Sequence, residues 1–209
     1  MRQVIRSEIK HLAEKNDYYK ILKLIKKIDS FEIYPTRAIS SIYFDNSDYK
    51  SFVDSEEGLV PRKKIRIRTY NNFNSIKEIQ SKNLKFNFET KIAEKDYDKK
   101  ISYEIKDPYN LINNGFHDKE FGNCSPIVKV SYLRDYFIFK QSTITLDYNI
   151  QYSTRLQDNF INFTHPYIVL EFKNNSKFHN KILFETLGLK SIRFSKYSMA
   201  VNQAIKLLN

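Results

Sequence analysis

The stretch Arg62-Lys63-Lys64-Ile65-Arg66-Ile67-Arg68 decides how this chain is read. From Lys64 onward a cation and an isoleucine alternate strictly. Side chains of a β-strand point to alternate faces, so Lys64, Arg66 and Arg68 share one face and Ile65 and Ile67 the other. Two cations about 6 Å apart repel by roughly 3 kcal/mol at an effective dielectric of about 20. An anion lying along this comb would remove the cost.

Other segments repeat the alternation with acids mixed in. Arg6, Glu8 and Lys10 alternate with Ser7 and Ile9. Glu89 and Lys91 alternate with Phe88, Thr90 and Ile92. Tyr132 and Arg134 flank Leu133, and Glu171 and Lys173 alternate with Leu170 and Phe172. Each reads as a strand with one charged and one largely apolar face. Two architectures accommodate such strands. In an ordinary sheet the charged face is solvated. In a closed antiparallel barrel turned the other way round, the lumen is charged and helices cover the apolar outside.

The composition narrows the partners. The 209 residues carry a formal charge of +11, which points to a polyanion such as a nucleic acid, a phosphorylated metabolite, polyphosphate or an acidic membrane. Part of that charge is explained by solubility alone. Cys124 is the only cysteine, which excludes an internal disulfide framework and a cysteine-built zinc site and suits a reducing cytoplasm. No signal-peptide core follows Met1, and no run approaches the ~20 apolar residues of a membrane span. The four glycines do not form a Walker-type or Rossmann-type loop.

Along the chain, the patterns predict strands at 4–10, 34–44, 61–70, 84–94, 99–106, 126–139, 142–151 and 166–174. Helical spacing is read over 12–28, and a short helix from Ser47 or Asp48 to Asp54. A loop or short helix is expected at 71–82, and a turn or short helix from Asp107-Pro108. Further helices are read at 178–187, ended by Gly188, and at 195–208. The expected fold is therefore α+β, with about eight mostly consecutive antiparallel strands and no repeat or linker. One domain over 1–209 is the natural reading.

Lys and Arg suit phosphate oxygens, Arg as a bidentate fork and Lys as a point charge. Glutamates beside them suit a divalent metal, which itself prefers phosphate oxygens. No activated Ser or Cys nucleophile is visible, and phosphoryl transfer needs none. His11, His117, His165 and His179 show no metal-ligand spacing. Asp45 and Asp147 read as turn or strand-end residues.

These pieces resemble one family, in its own order. They are Glu8-Ile-Lys10, Ser41-Ile-Tyr-Phe-Asp45-Asn46, the basic comb through Thr69-Tyr70 and Phe88-Glu89-Thr-Lys91. Then come Val130-Ser-Tyr132-Leu-Arg134, Thr145-Leu-Asp147, Val169-Leu-Glu171-Phe-Lys173 and Arg193-Phe-Ser195-Lys196-Tyr197. Together they resemble the VTC-domain polyphosphate polymerases, among the triphosphate tunnel metalloenzymes. The resemblance covers about residues 6 to 201. It implies an antiparallel β-barrel tunnel of about eight strands with a charged lumen and helices outside. It also implies that Lys10, Arg66, Arg68, Lys91, Arg134 and Lys196 hold phosphates as the catalytic set. Lys64, Tyr132, Arg193, Ser195 and Lys100 would add phosphate contacts. Glu171 would hold Mn²⁺ or Mg²⁺, and Glu8 and Glu89 would be further ligands of the metal or of water, or partners that relieve repulsion between the cations.

The implied activity is transfer of the terminal phosphoryl group of ATP to polyphosphate in the cytoplasm. Hydrolysis of triphosphate is the in-class alternative. A non-catalytic sensor of polyphosphate or inositol phosphates would keep the cations and dispense with Glu171. No nucleic acid is expected, because aromatics are not interleaved with the cations as stacking platforms. Two departures stand out. Thr143 occupies a place where the family often has arginine, a contact that Arg155 is a candidate to replace. The regulatory and membrane domains of eukaryotic members are absent from this sequence.

Overall fold

The computed structural model describes residues 7–95, 98–156, 159–174, 184–185 and 187–208. Residues 4–6 of the first expected strand, most of the helix read at 178–187, and His179 lie outside them, as does the side chain of Arg155. In chain order the elements begin with β1 (Ser7–Glu14), a 3-10 turn (Lys15–Asp17), α1 (Tyr18–Lys27), β2 (Phe31–Asp45), α2 (Lys50–Glu57) and β3 (Arg62–Thr69). Next are α3 (Ile76–Ser81), β4 (Phe86–Ala93), β5 (Asp98–Ile105), α4 (Pro108–Asn114), β6 (Phe116–Asp118) and β7 (Gly122–Phe139). The chain closes with β8 (Ser142–Leu156), β9 (Asn159–Thr164), β10 (Tyr167–Asn174) and α5 (Lys196–Leu208).

The chain divides into two compact units. The first is drawn from Met1–Ala38, Tyr132–Ile150 and Thr164–Phe194, the second from Ile39–Ser131, Gln151–Phe163 and Ser195–Asn209.

In the first unit β1 pairs antiparallel with β10, and β10 with β8. The register stacks Lys10, Glu171 and Thr145 in one row, and Glu8, Lys173 and Thr143 in the next. The row between them is apolar, with Ile9, Phe172 and Ile144, and the row beyond Lys10 holds Leu170 and Leu146 beside His11. Those apolar side chains pack with Phe137 and with Ile21 and Ile25 of α1. Burying each such side chain contributes about 1.5–3 kcal/mol. Residues 12–14, expected to open a helix, extend β1 instead. Leu12 pairs with Val169 and Ala13 with Ile168, so ladder hydrogen bonds hold them until the 3-10 turn.

In the second unit β2, β3, β4 and β5 pair antiparallel in sequence order. Ile42, Phe44, Ile65, Ile67 and Phe86 are buried with Ile76 and Ile79 of α3 and Ile112 of α4. The helix starts follow from their caps. Ser75 accepts from the Glu78 amide, and Asp107 accepts from the Asn110 amide ahead of a first-turn proline. Asp45 is buried and accepts from the amides of Ser51 and Phe52, which sets the start of α2, and from the Tyr197 hydroxyl of α5. It is thus a strand-end capping residue, as its place before Asn46 suggests. Short strands β6 and β9, not anticipated from the sequence, pair with β7 and β8.

The architecture is α+β and dominated by antiparallel pairing. The strand path runs β1-β10-β8-β7-β2-β3-β4-β5 and is open. Among the described residues no pairing joins β1 to β5, so the expectation of a closed barrel goes further than the pairing does. No helix of the described residues is long and apolar enough to cross a membrane.

Candidate functional site

The charged rows form one cluster in each unit. In the second unit the register places Lys64, Lys91 and Lys100 side by side, with Tyr43, Arg66, Glu89 and Ser102 in the next row. Ser41 and Arg68 follow. The cation comb of β3 therefore shares its face with a carboxylate. Glu89 Oε2 accepts from Arg66 Nε at 2.8 Å and Nη2 at 2.6 Å, and Arg68 Nη1 lies 3.9 Å from it. Glu89 Oε1 accepts from Lys100 Nζ at 2.6 Å. Burial pushes the Glu89 carboxyl up, but Arg66, Arg68 and Lys100 outweigh burial and hold its pKa at about 2. Burial lowers the Lys100 pKa, and repulsion from Arg66 and Arg68 adds to that, against the pull of Glu89.

Tyr43 completes this cluster. Its hydroxyl accepts from Arg66 Nη1 at 2.9 Å, and its ring stacks on Tyr197 with centroids 5.0 Å apart. Burial raises the phenol, yet Arg66, Arg68 and Lys64 bring its pKa down to about 8. Arg68 Nε donates to Ser41 Oγ at 3.0 Å. Lys64 Nζ donates to Ser195 Oγ at 3.0 Å, and the same oxygen accepts from the Ser198 amide at 3.3 Å near the start of α5. Ser195 thus serves the helix and the cluster together. Lys91 Nζ is 2.9 Å from Asp98. Lys196 is the first residue of α5 and half-buried.

The first unit gathers Glu8, Lys10, Tyr132, Arg134 and Glu171. Lys10 Nζ is 2.8 Å from Glu8 Oε1 and donates to the Phe194 carbonyl at 3.0 Å. Burial works against the Lys10 ammonium, but Glu171 and Glu8 raise its pKa above the usual lysine value. Glu171 is buried, with Lys173 Nζ at 3.3 Å and Arg134 Nη2 at 3.8 Å. Burial would raise its carboxyl, but Lys173, a hydrogen bond from Glu8, Lys10 and Arg134 hold it well below the usual range. Arg134 is forked onto Asp147, Nε to Oδ1 at 2.5 Å and Nη2 to Oδ2 at 2.7 Å. Its guanidinium lies 5.2 Å from the Tyr132 ring centroid. Arg193 is exposed in this unit.

Glu8 and Glu171 meet in the first unit, and Glu89 is engaged by cations in the second. Among the described residues no group of three or more His, Cys, Asp or Glu is arranged to hold a metal ion. Two side chains of these clusters were not expected there from the sequence. Asp147 clamps Arg134, and its position after Thr145, on the same face, was the available signal. Tyr43 lies on the same face as Ser41, two residues away, which was a signal of equal quality.

Comparison with known proteins agrees with this geometry. The VTC domain family matches residues 5–205. The chain belongs to the VTC domain family. No curated protein matches the sequence. Among solved structures, this VTC domain resembles one from Bacillus halodurans that is described as an adenylate cyclase. The TM-score is 0.61 at 14% identity, covering 93% of this chain and 96% of that one. It also resembles a protein from Hippeastrum described as having a dominant triphosphatase activity. There the TM-score is 0.57 at 13% identity, covering 94% and 95% of the two chains. A conserved Pyrococcus furiosus protein matches at TM-score 0.55 and 15% identity, over 92% and 98%. At these identities the likeness concerns the fold, and it supports the general fold of the triphosphate tunnel proteins for this VTC domain.

Proposed function

We propose that this VTC domain is a metal-dependent phosphotransferase that passes the terminal phosphoryl group of ATP to a growing polyphosphate chain. The observation that carries the reading is the closure of Arg66, Arg68 and Lys100 around the single carboxylate of Glu89. Three cations on one buried anion make a site that accepts phosphate oxygens once that carboxylate gives way. Lys64, Lys91, Ser195 and Tyr43 extend the same face with further donors. Family membership supports the same class of substrate.

The first unit supplies a metal-compatible donor pair. Glu8 hydrogen-bonds Glu171, which brings two acidic side chains together in this unit. A small divalent ion takes one or two carboxylates and completes its shell with phosphate oxygens and water, so the pair fits Mg²⁺ or Mn²⁺. When bound, such an ion neutralises charge on phosphate oxygens. Lys10, Arg134 and Lys173 surround the pair and hold Glu171 ionised.

Incubation with ATP and Mn²⁺ tests the reading: long polyphosphate is expected among the products, and free phosphate alone would replace transfer by hydrolysis. Hydrolysis is the second reading, favoured by the dominant triphosphatase activity of the Hippeastrum protein that shares this fold. Glu171→Gln keeps the side-chain shape and removes the charge, so turnover should fall about a hundredfold while anion binding survives. Wild-type turnover of that variant at limiting Mn²⁺ would show that Glu171 is not the metal ligand, whereas polyphosphate binding by the wild type with no turnover would favour a non-catalytic sensor.

Arg66→Ala reports on the second-unit cluster. A charge-assisted hydrogen bond is worth about 1.5–3 kcal/mol, so tripolyphosphate affinity should drop about tenfold or more. Calorimetric titration measures it, and unchanged affinity in both Arg66→Ala and Arg68→Ala would remove the comb from the binding site.

A further inference from the structure

Helix α1 has two contrasting faces. Ile21 and Ile25 are buried with Ile144, Leu170 and Phe172, on the apolar side of the β1-β10-β8 sheet. Glu8, Lys10 and Glu171 lie on the other side of that sheet, because they alternate with its apolar residues. The outer face of α1 carries Lys20, Lys23, Lys26 and Lys27, all exposed, and the helix contains no acid. At 3.6 residues per turn, these lysines and Tyr19 fall within about 120° of the helix surface. Lys23 stands three or four residues from each of the other three, so like charges meet along the helix and weaken it. Among the described residues Asp17, 4.0 Å from Lys20, is the one acid paired with this row.

An aromatic ring stands at each end of the row. Tyr19 is 79% exposed and propped edge to face on Tyr18, with centroids 5.2 Å apart. Tyr18 is itself fixed by its hydrogen bond to Asp135. Phe31, just beyond the helix, is 69% exposed. A single exposed ring needs no explanation, but two rings flanking four lysines combine the two attractions of a peripheral membrane contact.

We propose that α1 docks this domain on an anionic lipid surface, its lysines against the headgroup phosphates and Tyr19 and Phe31 in the interfacial layer. The apolar stripe of α1 is buried in the core, so the helix rests on the bilayer rather than sinking into it. Each lysine near an anionic leaflet strengthens binding about fivefold, so four together give roughly 600-fold. Salt screens this part over about 8 Å at physiological strength. Tyrosine and phenylalanine suit the boundary between headgroups and acyl chains. A second copy of the chain would set one lysine row against another, and polyphosphate would leave both rings in water. The inference does not depend on the phosphotransferase reading.

The test is co-sedimentation of the full chain with vesicles of phosphatidylcholine alone and of equal parts phosphatidylcholine and phosphatidylglycerol, at low and at physiological salt. Wild type should bind the mixed vesicles about a hundredfold or more tightly than the neutral ones at low salt, with a smaller ratio at physiological salt. Lys23→Gln combined with Lys27→Gln should weaken binding to mixed vesicles about 25-fold. Tyr19→Ser combined with Phe31→Ser should weaken it about tenfold at both salt concentrations. These four side chains are exposed, so unchanged melting temperatures show that the variants are folded. Tripolyphosphate equimolar with the protein should leave vesicle binding in place. Equal binding to both kinds of vesicle overturns the proposal, as does wild-type binding by the lysine variant. Displacement by equimolar tripolyphosphate overturns it by moving the headgroups to the phosphate clusters. Wild-type binding by the ring variant also overturns it, because the lysines would then serve any polyanion.

Discussion

Replacing Asp147 with asparagine is expected to lower the unfolding free energy by about 3–5 kcal/mol, the usual cost of breaking one side of a buried ion pair. Asp147 is fully buried and Arg134 is 9% exposed. The guanidinium spends Nε and Nη2 on the two oxygens of that one carboxylate. With asparagine there, Arg134 keeps Glu171 only at 3.8 Å, a distance already shared with Lys173 at 3.3 Å from the same oxygen. Urea denaturation measures the effect as a lower midpoint at unchanged slope. A shift below about 1 kcal/mol would mean that the pair behaves as an exposed one. The double variant Arg134→Met with Asp147→Leu separates charge from packing. Replacing a buried pair by apolar residues of similar volume is often neutral, so this variant should recover most of the lost stability.

Much of the fold was legible because strand alternation is local. Ile65 and Ile67 had to face a core whatever lay around them, and they are buried with Phe44 and Phe86. The start signal Asp107-Pro108 is equally local, whereas the cap expected at Ser47 or Asp48 is replaced by Asp45, whose carboxylate takes the Ser51 and Phe52 amides. Leu12 illustrates the opposite case. It fits a helical spacing with Tyr19 and also a strand alternation with Lys10, and only the partner Val169 decides between them. The path of the sheet is less legible still, since joining β1 to β5 would depend on residues some ninety positions apart with no local signal for or against it. The candidate site divides in the same way. The cation comb is readable as a comb, and Glu89 is readable either as a metal or water ligand or as a partner that relieves repulsion between the cations. The register sets it opposite Arg66, as the second of these asks. Asp147 was read as a strand end because nothing in Thr145-Leu146-Asp147 says which cation it will meet. The Tyr43 phenol becomes unusual only when Arg66, Arg68 and Lys64 surround it, which no local sequence pattern announces.

Replacing Glu89 with glutamine tests whether that carboxylate stands in the cluster as a built-in counter-ion. The change should destabilise the ligand-free protein by about 3 kcal/mol, since Arg66 and Arg68 then share their face with Lys100 and no buried anion. Acid should reproduce the loss in wild type. The Glu89 pKa is depressed from the ordinary 4.5 to about 2. Its stabilisation is therefore fully present above 4.5 and disappears as the pH falls from there toward 2. That limb of the stability profile should flatten in Glu89→Gln. Polyanion should then repair what the mutation broke. Tripolyphosphate at a hundred times its dissociation constant adds about 2.7 kcal/mol to the folded state, which nearly offsets the loss. Affinity should also rise in the variant, because phosphate no longer displaces a carboxylate bound at 2.6 Å to both Arg66 and Lys100. Thermal melts with and without tripolyphosphate, repeated across pH 2 to 7, separate the outcomes. A variant that keeps the wild-type acid limb and binds tripolyphosphate more weakly would show that Glu89 assists the anion rather than substituting for it.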